Sequence, residues 1–192
     1  YEGRGVRRIF DPVPGLSHAR NTGWRNARGD LIAYLDDDAV ADPQWLEAAL
    51  AAFQSQRPRP DGLGGPVRLI WETPVPAWMN RALQIPLGAV DWGATPRRLA
   101  PDEWVIGANC FFAKDCLARL GGFSEQLGRK GSCLLSGEET LLQKQIEASG
   151  GFLFYVPGAS VGHHVTAERS RPGWFYRRYF WGGVSDALLR RR

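Results

Sequence analysis

Short apolar runs alternate with helical stripes along this chain, and glycine or proline punctuates most of the joins. Residues 31–35 are an apolar run bounded upstream by Gly29-Asp30, which predicts a buried strand. Residues 18–27 predict a helix, with Ser17 placed to cap it and Gly29 to stop it. Asp42-Pro43 opens a second helix, whose Trp45, Leu46, Ala49, Leu50 and Phe53 fall on one stripe. Residues 63–71 and 104–113 read as strands, and 114–120 as a short helix. Residues 138–149 form a helical pattern with Leu141, Leu142 and Ile146 on one face and Gly150-Gly151 at its end. Residues 152–156 and 160–164 complete the strands, and residues 6–10 read as an earlier one. This order predicts an α/β fold, a mainly parallel, Rossmann-like sheet flanked by helices.

Two stretches resist a period. Residues 72–102 are rich in proline and tryptophan, and Trp78 and Trp92 within them and Trp104 just beyond argue for order there. Residues 172–181 are aromatic and basic, apolar almost all round as a helix. Such a helix covers a core, closes over a phosphate-bearing ligand, or lies on an anionic membrane, a peripheral contact. The domain division that follows is 1–170 for the α/β unit and 171–192 for an aromatic, basic helical segment.

Composition fits a soluble enzyme domain. The 192 residues are 44% hydrophobic and 23% charged, enough for one domain with a real core. No run of about 18 apolar residues is present. Three cysteines, Cys110, Cys116 and Cys133, lack metal-ligand spacing and read as reduced thiols of a cytoplasmic protein. The net charge of +4 gathers in arginines at both ends: Arg4, Arg7 and Arg8, then Arg177, Arg178, Arg190, Arg191 and Arg192. No nucleic-acid motif accompanies them, so an anionic lipid face or a diphosphate suits them better than nucleic acid.

The chemistry concentrates at Asp36-Asp37-Asp38, where the apolar strand ends in three carboxylates. Adjacent carboxylates repel unless a cation sits among them, and Mg²⁺ or Mn²⁺ prefers such hard oxygen ligands. In open α/β sheets, ligands bind beyond the carboxyl ends of strands. The plain alternative is a solvated acidic turn. A second acidic pair, Glu138-Glu139, opens a helix, where the helix dipole alone would favour it.

These pieces stand in an order that resembles the family 2 glycosyltransferases, inverting sugar-nucleotide enzymes of the GT-A fold. The residues that carry the resemblance are Gly15 through Ala19-Arg20-Asn21 to Gly23, Asp36-Asp37-Asp38, Gly107-Ala108-Asn109, Gly121-Gly122-Phe123 and Glu138-Glu139. It runs from about residue 6 to about residue 165. The family's opening strand, which holds much of the nucleotide base, has no counterpart here, so a GT-A fold truncated at its N-terminus is expected.

The resemblance implies transfer of a sugar from a nucleotide-diphosphate sugar, a UDP-sugar first, to a saccharide or lipid-linked saccharide hydroxyl. It implies a Mn²⁺ or Mg²⁺ cofactor and work at the inner face of a membrane. Asp36 and Asp38 would hold the metal, with His164 completing the shell in preference to His163, since strand alternation sends the two to opposite faces. Glu139 would be the general base, with Glu138 beside it. The family has Glu-Asp at this pair, so Glu-Glu is a departure. Arg20, Asn21, Asp36, Asp37 and Asn109 would contact the donor, although Arg20 serves equally as a salt bridge within the fold. Tryptophans of residues 72–102 would stack on sugar faces or pack in the core. Two other classes stay open: a sugar-nucleotide nucleotidyltransferase, and a non-catalytic sugar-binding or scaffold domain of the same fold.

Overall fold

The computed structural model describes residues 5–131 and 133–191; Arg4 and Arg192 lie outside them. Among the described residues, fourteen helices and strands follow the sequence in order. They are α1 (Leu16–Asn26), β1 (Leu31–Tyr34), β2 (Ala39–Ala41), α2 (Trp45–Ser55), β3 (Gly62–Gly64), β4 (Val67–Trp71), α3 (Arg81–Gln84), β5 (Arg97–Arg98), β6 (Cys110–Ala113), α4 (Lys114–Leu120), α5 (Glu138–Ala148), β7 (Leu153–Tyr155), β8 (Val161–Val165) and α6 (Pro172–Leu189), with a 3₁₀ turn at Ile85–Leu87.

The strands form two sheets. Five lie in the order β1-β6-β3-β7-β5, and three in the order β2-β8-β4. Helices cover both faces of the larger sheet, as the α/β pattern requires. Phe111 and Phe112 are adjacent on β6 and point to opposite faces. Phe111 packs against Trp45 of α2, and Phe112 against Tyr34 and Phe123. Both are fully buried, in one core with Phe53, Leu63, Leu142 and Ile146.

The sheet is mixed rather than mainly parallel. Among the described residues only β3 with β7 and β4 with β8 run parallel; the other four pairings are antiparallel. A crossover helix returns the chain parallel. After β4 no such helix follows, and the long segment through α3 and β5 brings β6 in from the opposite end.

Residues 63–71 divide at Gly65-Pro66 into β3 and β4, one strand for each sheet. A side chain at Gly65 would collide with the Ala159 carbonyl, so only glycine lets the backbone pass there. Residues 6–10 form no strand and are largely exposed. The α1 cap also differs: Gly15 takes the N-cap place, while Ser17 Oγ donates to the Leu127 carbonyl at 2.8 Å. Likewise Gln44 caps α2, and the Asp42 carboxylate pairs with Arg68 at 2.6 Å.

The irregular segment is ordered by packing. Trp92 and Trp104 meet edge to face at 4.8 Å and lie against the Val67, Val90 and Val161 cluster. Trp78 stays 42% exposed against Phe175. The three cysteines are free thiols, and burial pushes Cys116 up to about 12.

Candidate active site

The chain leaves the larger sheet at the end of β1 and enters the smaller one at β2. The three aspartates occupy the turn between. Pairing of β2 with β8 sets Ala39 opposite His163, which brings that imidazole beside Asp38. His163 Nε2 lies 3.1 Å from Asp38 Oδ1. One ligand atom each from Asp36, Asp38 and His163 lies within 4.8 Å of the others. Asp37 sits exposed at the same turn.

The strand alternation is as expected, but the histidine that meets the carboxylates is His163, not His164. His164 is exposed on the other face of β8. His163 is held by its second nitrogen, with Nδ1 2.8 Å from the buried Leu87 carbonyl. A carbonyl only accepts, so Nδ1 donates and a neutral ring turns the Nε2 lone pair toward Asp38. Two acceptors at that distance require a proton or a cation between them. Two carboxylates and an imidazole oriented in this way fit Mn²⁺ or Mg²⁺.

Arg20 ties this turn to the second acidic pair. Its side chain is 6% exposed and reaches Glu138 at 2.9 Å, Glu139 at 3.1 Å and Asp36 at 3.4 Å. Burial opposes its charge, but the surrounding carboxylates outweigh that and hold it more firmly protonated than usual. Gly107 makes room: a side chain there would overlap both the Arg20 guanidinium and Glu139 Oε1.

The two glutamates are not equivalent. Burial, then the charge on Glu139, pushes Glu138 up to about 8. Its Oε2 is buried without a partner, a position that disfavours ionisation. Glu139 keeps 15% of its side chain exposed. The pair thus offers one buried carboxyl that resists ionisation and one carboxyl partly open to an incoming group.

The two asparagines expected at the donor are held by the fold instead. Asn21 Nδ2 donates to the Phe123 carbonyl at 2.8 Å, and its Oδ1 accepts from Phe123 N and Trp24 Nε1. Asn109 Nδ2 donates to the Ala159 and Pro66 carbonyls, and its Oδ1 accepts from Trp45 Nε1 at 2.8 Å. With both amides satisfied, these residues shape the site rather than face a ligand. Arg20 is tied to Glu138, Glu139 and Asp36 and also lines the cleft beside β1.

Two further arginines reach the site: Arg169, which sequence reasoning passed over, and Arg178, which it named only within the basic C-terminal stretch. Arg169 Nη1 lies 3.0 Å from Asp38 Oδ2. Arg178 of α6 donates to Ser136 Oγ at 3.2 Å and leaves its Nε buried without a partner. Ser185 of α6 also accepts from Ser136 N, so α6 braces the turn that starts α5. Neither arginine belongs to a recognisable spacing; the turn after β8 and the pitch of α6 bring them in. A cleft of about 520 Å³ runs along the outer edge of β1, lined in part by Arg20, Tyr34, Asp36 and Asp37.

The chain is similar to several known glycosyltransferases. A family model described as glycosyl transferase family 2 matches residues 2–82. The sequence is 27% identical over 180 residues to a glucosyl-dolichyl phosphate glucuronosyltransferase of Haloferax volcanii, covering 93% of this chain and 57% of that protein. It is 29% identical over 184 residues to the succinoglycan biosynthesis protein ExoM of Rhizobium meliloti, covering 94% of this chain and 55% of that protein. The chain therefore spans little more than half the length of either relative. A crystal structure of GalNAc-T7 with UDP, GalNAc and Mn²⁺ shares the fold, with a TM-score of 0.56 and 19% identity over 81% of this chain and 31% of that one. The family model over residues 2–82, the relatives along nearly the whole chain and the shared architecture support a family 2 glycosyltransferase with a GT-A fold.

Proposed function

We propose that this chain forms the catalytic part of an inverting, metal-dependent glycosyltransferase. The donor is a nucleoside-diphosphate sugar, with UDP the first choice of nucleotide. The acceptor is a hydroxyl of a saccharide or lipid-linked saccharide. The observation that carries the reading is the convergence of Asp36, Asp38 and His163 within 4.8 Å, joined through Arg20 to Glu139. The UDP and Mn²⁺ in the GalNAc-T7 structure support the donor and metal. The dolichyl phosphate in the name of the Haloferax relative supports a lipid-linked acceptor.

What a divalent ion supplies when bound is neutralisation of the charge that develops on the leaving diphosphate. The rest falls to the protein. Glu139 takes the proton of the acceptor hydroxyl as that oxygen attacks the anomeric carbon. The new carbon–oxygen bond forms as the bond to the diphosphate breaks, and the electron pair leaves with the nucleoside diphosphate. Attack from the face opposite the leaving group inverts the anomeric centre. Arg20 orients Glu139, and protonated Glu138 holds Arg20 without adding a second charge.

Calorimetric titration with UDP and Mn²⁺ tests this reading. Asp38→Ala and His163→Ala are expected to weaken metal-dependent UDP binding by about tenfold or more. His164→Ala is expected to leave it unchanged. Glu139→Gln should bind as the unaltered chain does and lose transfer. UDP binding that ignores Mn²⁺, or equal losses from the two histidine variants, would overturn it.

A further inference from the structure

Asp38 has two neighbours, one at each oxygen. His163 Nε2 stands 3.1 Å from Oδ1, and Arg169 Nη1 stands 3.0 Å from Oδ2. The guanidinium therefore occupies a place that a cation at Asp38 would contest. Arg169 comes from the turn between β8 and α6, which other contacts anchor: Ala167 N donates to Glu72 Oε2 at 2.7 Å, and Ser170 Oγ donates to the Thr166 carbonyl at 3.3 Å. The backbone is thus fixed while the side chain lies at the rim, 23% exposed. An ion pair this open to solvent is weak enough to be exchanged. A guanidinium carries five N–H donors, a set that matches phosphate oxygens in pairs.

We propose that Arg169 is a positioning residue that couples metal and donor binding. It neutralises Asp38 in the empty site and transfers to the donor's diphosphate when metal and donor are both bound. The proposal rests on the metal reading of Asp36, Asp38 and His163. Two consequences of opposite sign follow for removal of the guanidinium. Metal alone no longer competes with it and binds more tightly. The diphosphate loses a charged partner and binds less tightly.

The test is calorimetric titration of Mn²⁺ alone, and of UDP at saturating Mn²⁺, into the unaltered chain, Arg169→Ala and Arg169→Lys. Thermal unfolding of each variant confirms that it is folded. For Arg169→Ala, Mn²⁺ is expected to bind roughly two- to fivefold more tightly, and UDP about tenfold more weakly. Arg169→Lys, which keeps a charge, should fall between Arg169→Ala and the unaltered chain in both titrations. If the unaltered chain binds Mn²⁺ and UDP but Arg169→Ala shows no gain for the metal, or no loss for UDP, the coupling role is wrong and the metal reading stands. If the unaltered chain binds no Mn²⁺, with or without UDP, the metal reading fails and takes this proposal with it.

Discussion

Arg20 faces Glu138, Glu139 and Asp36 from a position almost wholly removed from water. Truncating one partner of a buried pair leaves the others as uncompensated charge, which typically costs about 3–5 kcal/mol. Arg20→Ala is expected to lose about that much stability in urea unfolding. A loss within about 0.5 kcal/mol, the range of an ordinary surface substitution, would show that Arg20 is not the hub of the site. Glu138 makes a separate prediction. Its carboxyl is raised from the ordinary 4.5 to about 8 by burial and then by Glu139. A group raised in the folded state stabilises it while protonated. That contribution is whole below the unfolded value and disappears as pH climbs through the folded one. The melting temperature of the unaltered chain should therefore fall, between about pH 5 and pH 8, by on the order of 5 °C relative to Glu138→Gln. Parallel pH profiles for the two proteins would contradict a protonated Glu138.

At the scale of elements, α1 and α6 depart most from simple amphipathic patterning. The buried stripe of α1 is Ser17, Arg20, Asn21 and Trp24, with helical spacing but mostly polar residues. It is stable because each polar group meets a partner: Ser17 the Leu127 carbonyl, Asn21 the Phe123 backbone, and Arg20 the carboxylates. In α6 the inner side places Phe175 in a core cluster with Leu87 and Val165. The outer side exposes Tyr176 at 78%, Tyr179 at 53% and Phe180 at 67%, positions three and four apart on one face. Exposed arginines 171, 177, 190 and 191 accompany these rings. Aromatic rings with arginines around them suit the interface of an anionic bilayer. The triple variant Tyr176→Ser, Tyr179→Ser, Phe180→Ser is expected to reduce co-sedimentation with anionic vesicles by at least about tenfold, since each ring loses its apolar burial in the interface. Equal binding by the variant, or equal binding to neutral vesicles, would remove the membrane role. No helix among the described residues is long and apolar enough to cross a membrane.

At the scale of the whole molecule, the site stands where two sheets meet. The turn after β1 belongs to the larger sheet and β8 to the smaller, and Asp36, Asp38 and His163 converge because β2 joins them. The chain's order of apolar runs, glycines and acidic clusters was enough to read most elements and to single out the acidic groups that the fold brings together. α4 falls on its expected residues, and β1, α5, β7 and β8 within one or two. These features are local, since side-chain period, capping and glycine placement act over a few neighbours. Local pattern could not set strand direction, because the segment between β4 and β6 carries no period that dictates how it returns. Nor could it choose between His163 and His164. Alternation separates the two, and only the Leu87 carbonyl, brought in from 76 residues away, selects one. Asn21 and Asn109 read as ligand contacts because their types suit ligands, yet backbone groups distant in sequence and two indole N–H groups occupy their amides. The residues able to do chemistry are thus written along the chain. Their partners, and so their charge, orientation and availability, arise from contacts distant in sequence that exist only once the chain has folded.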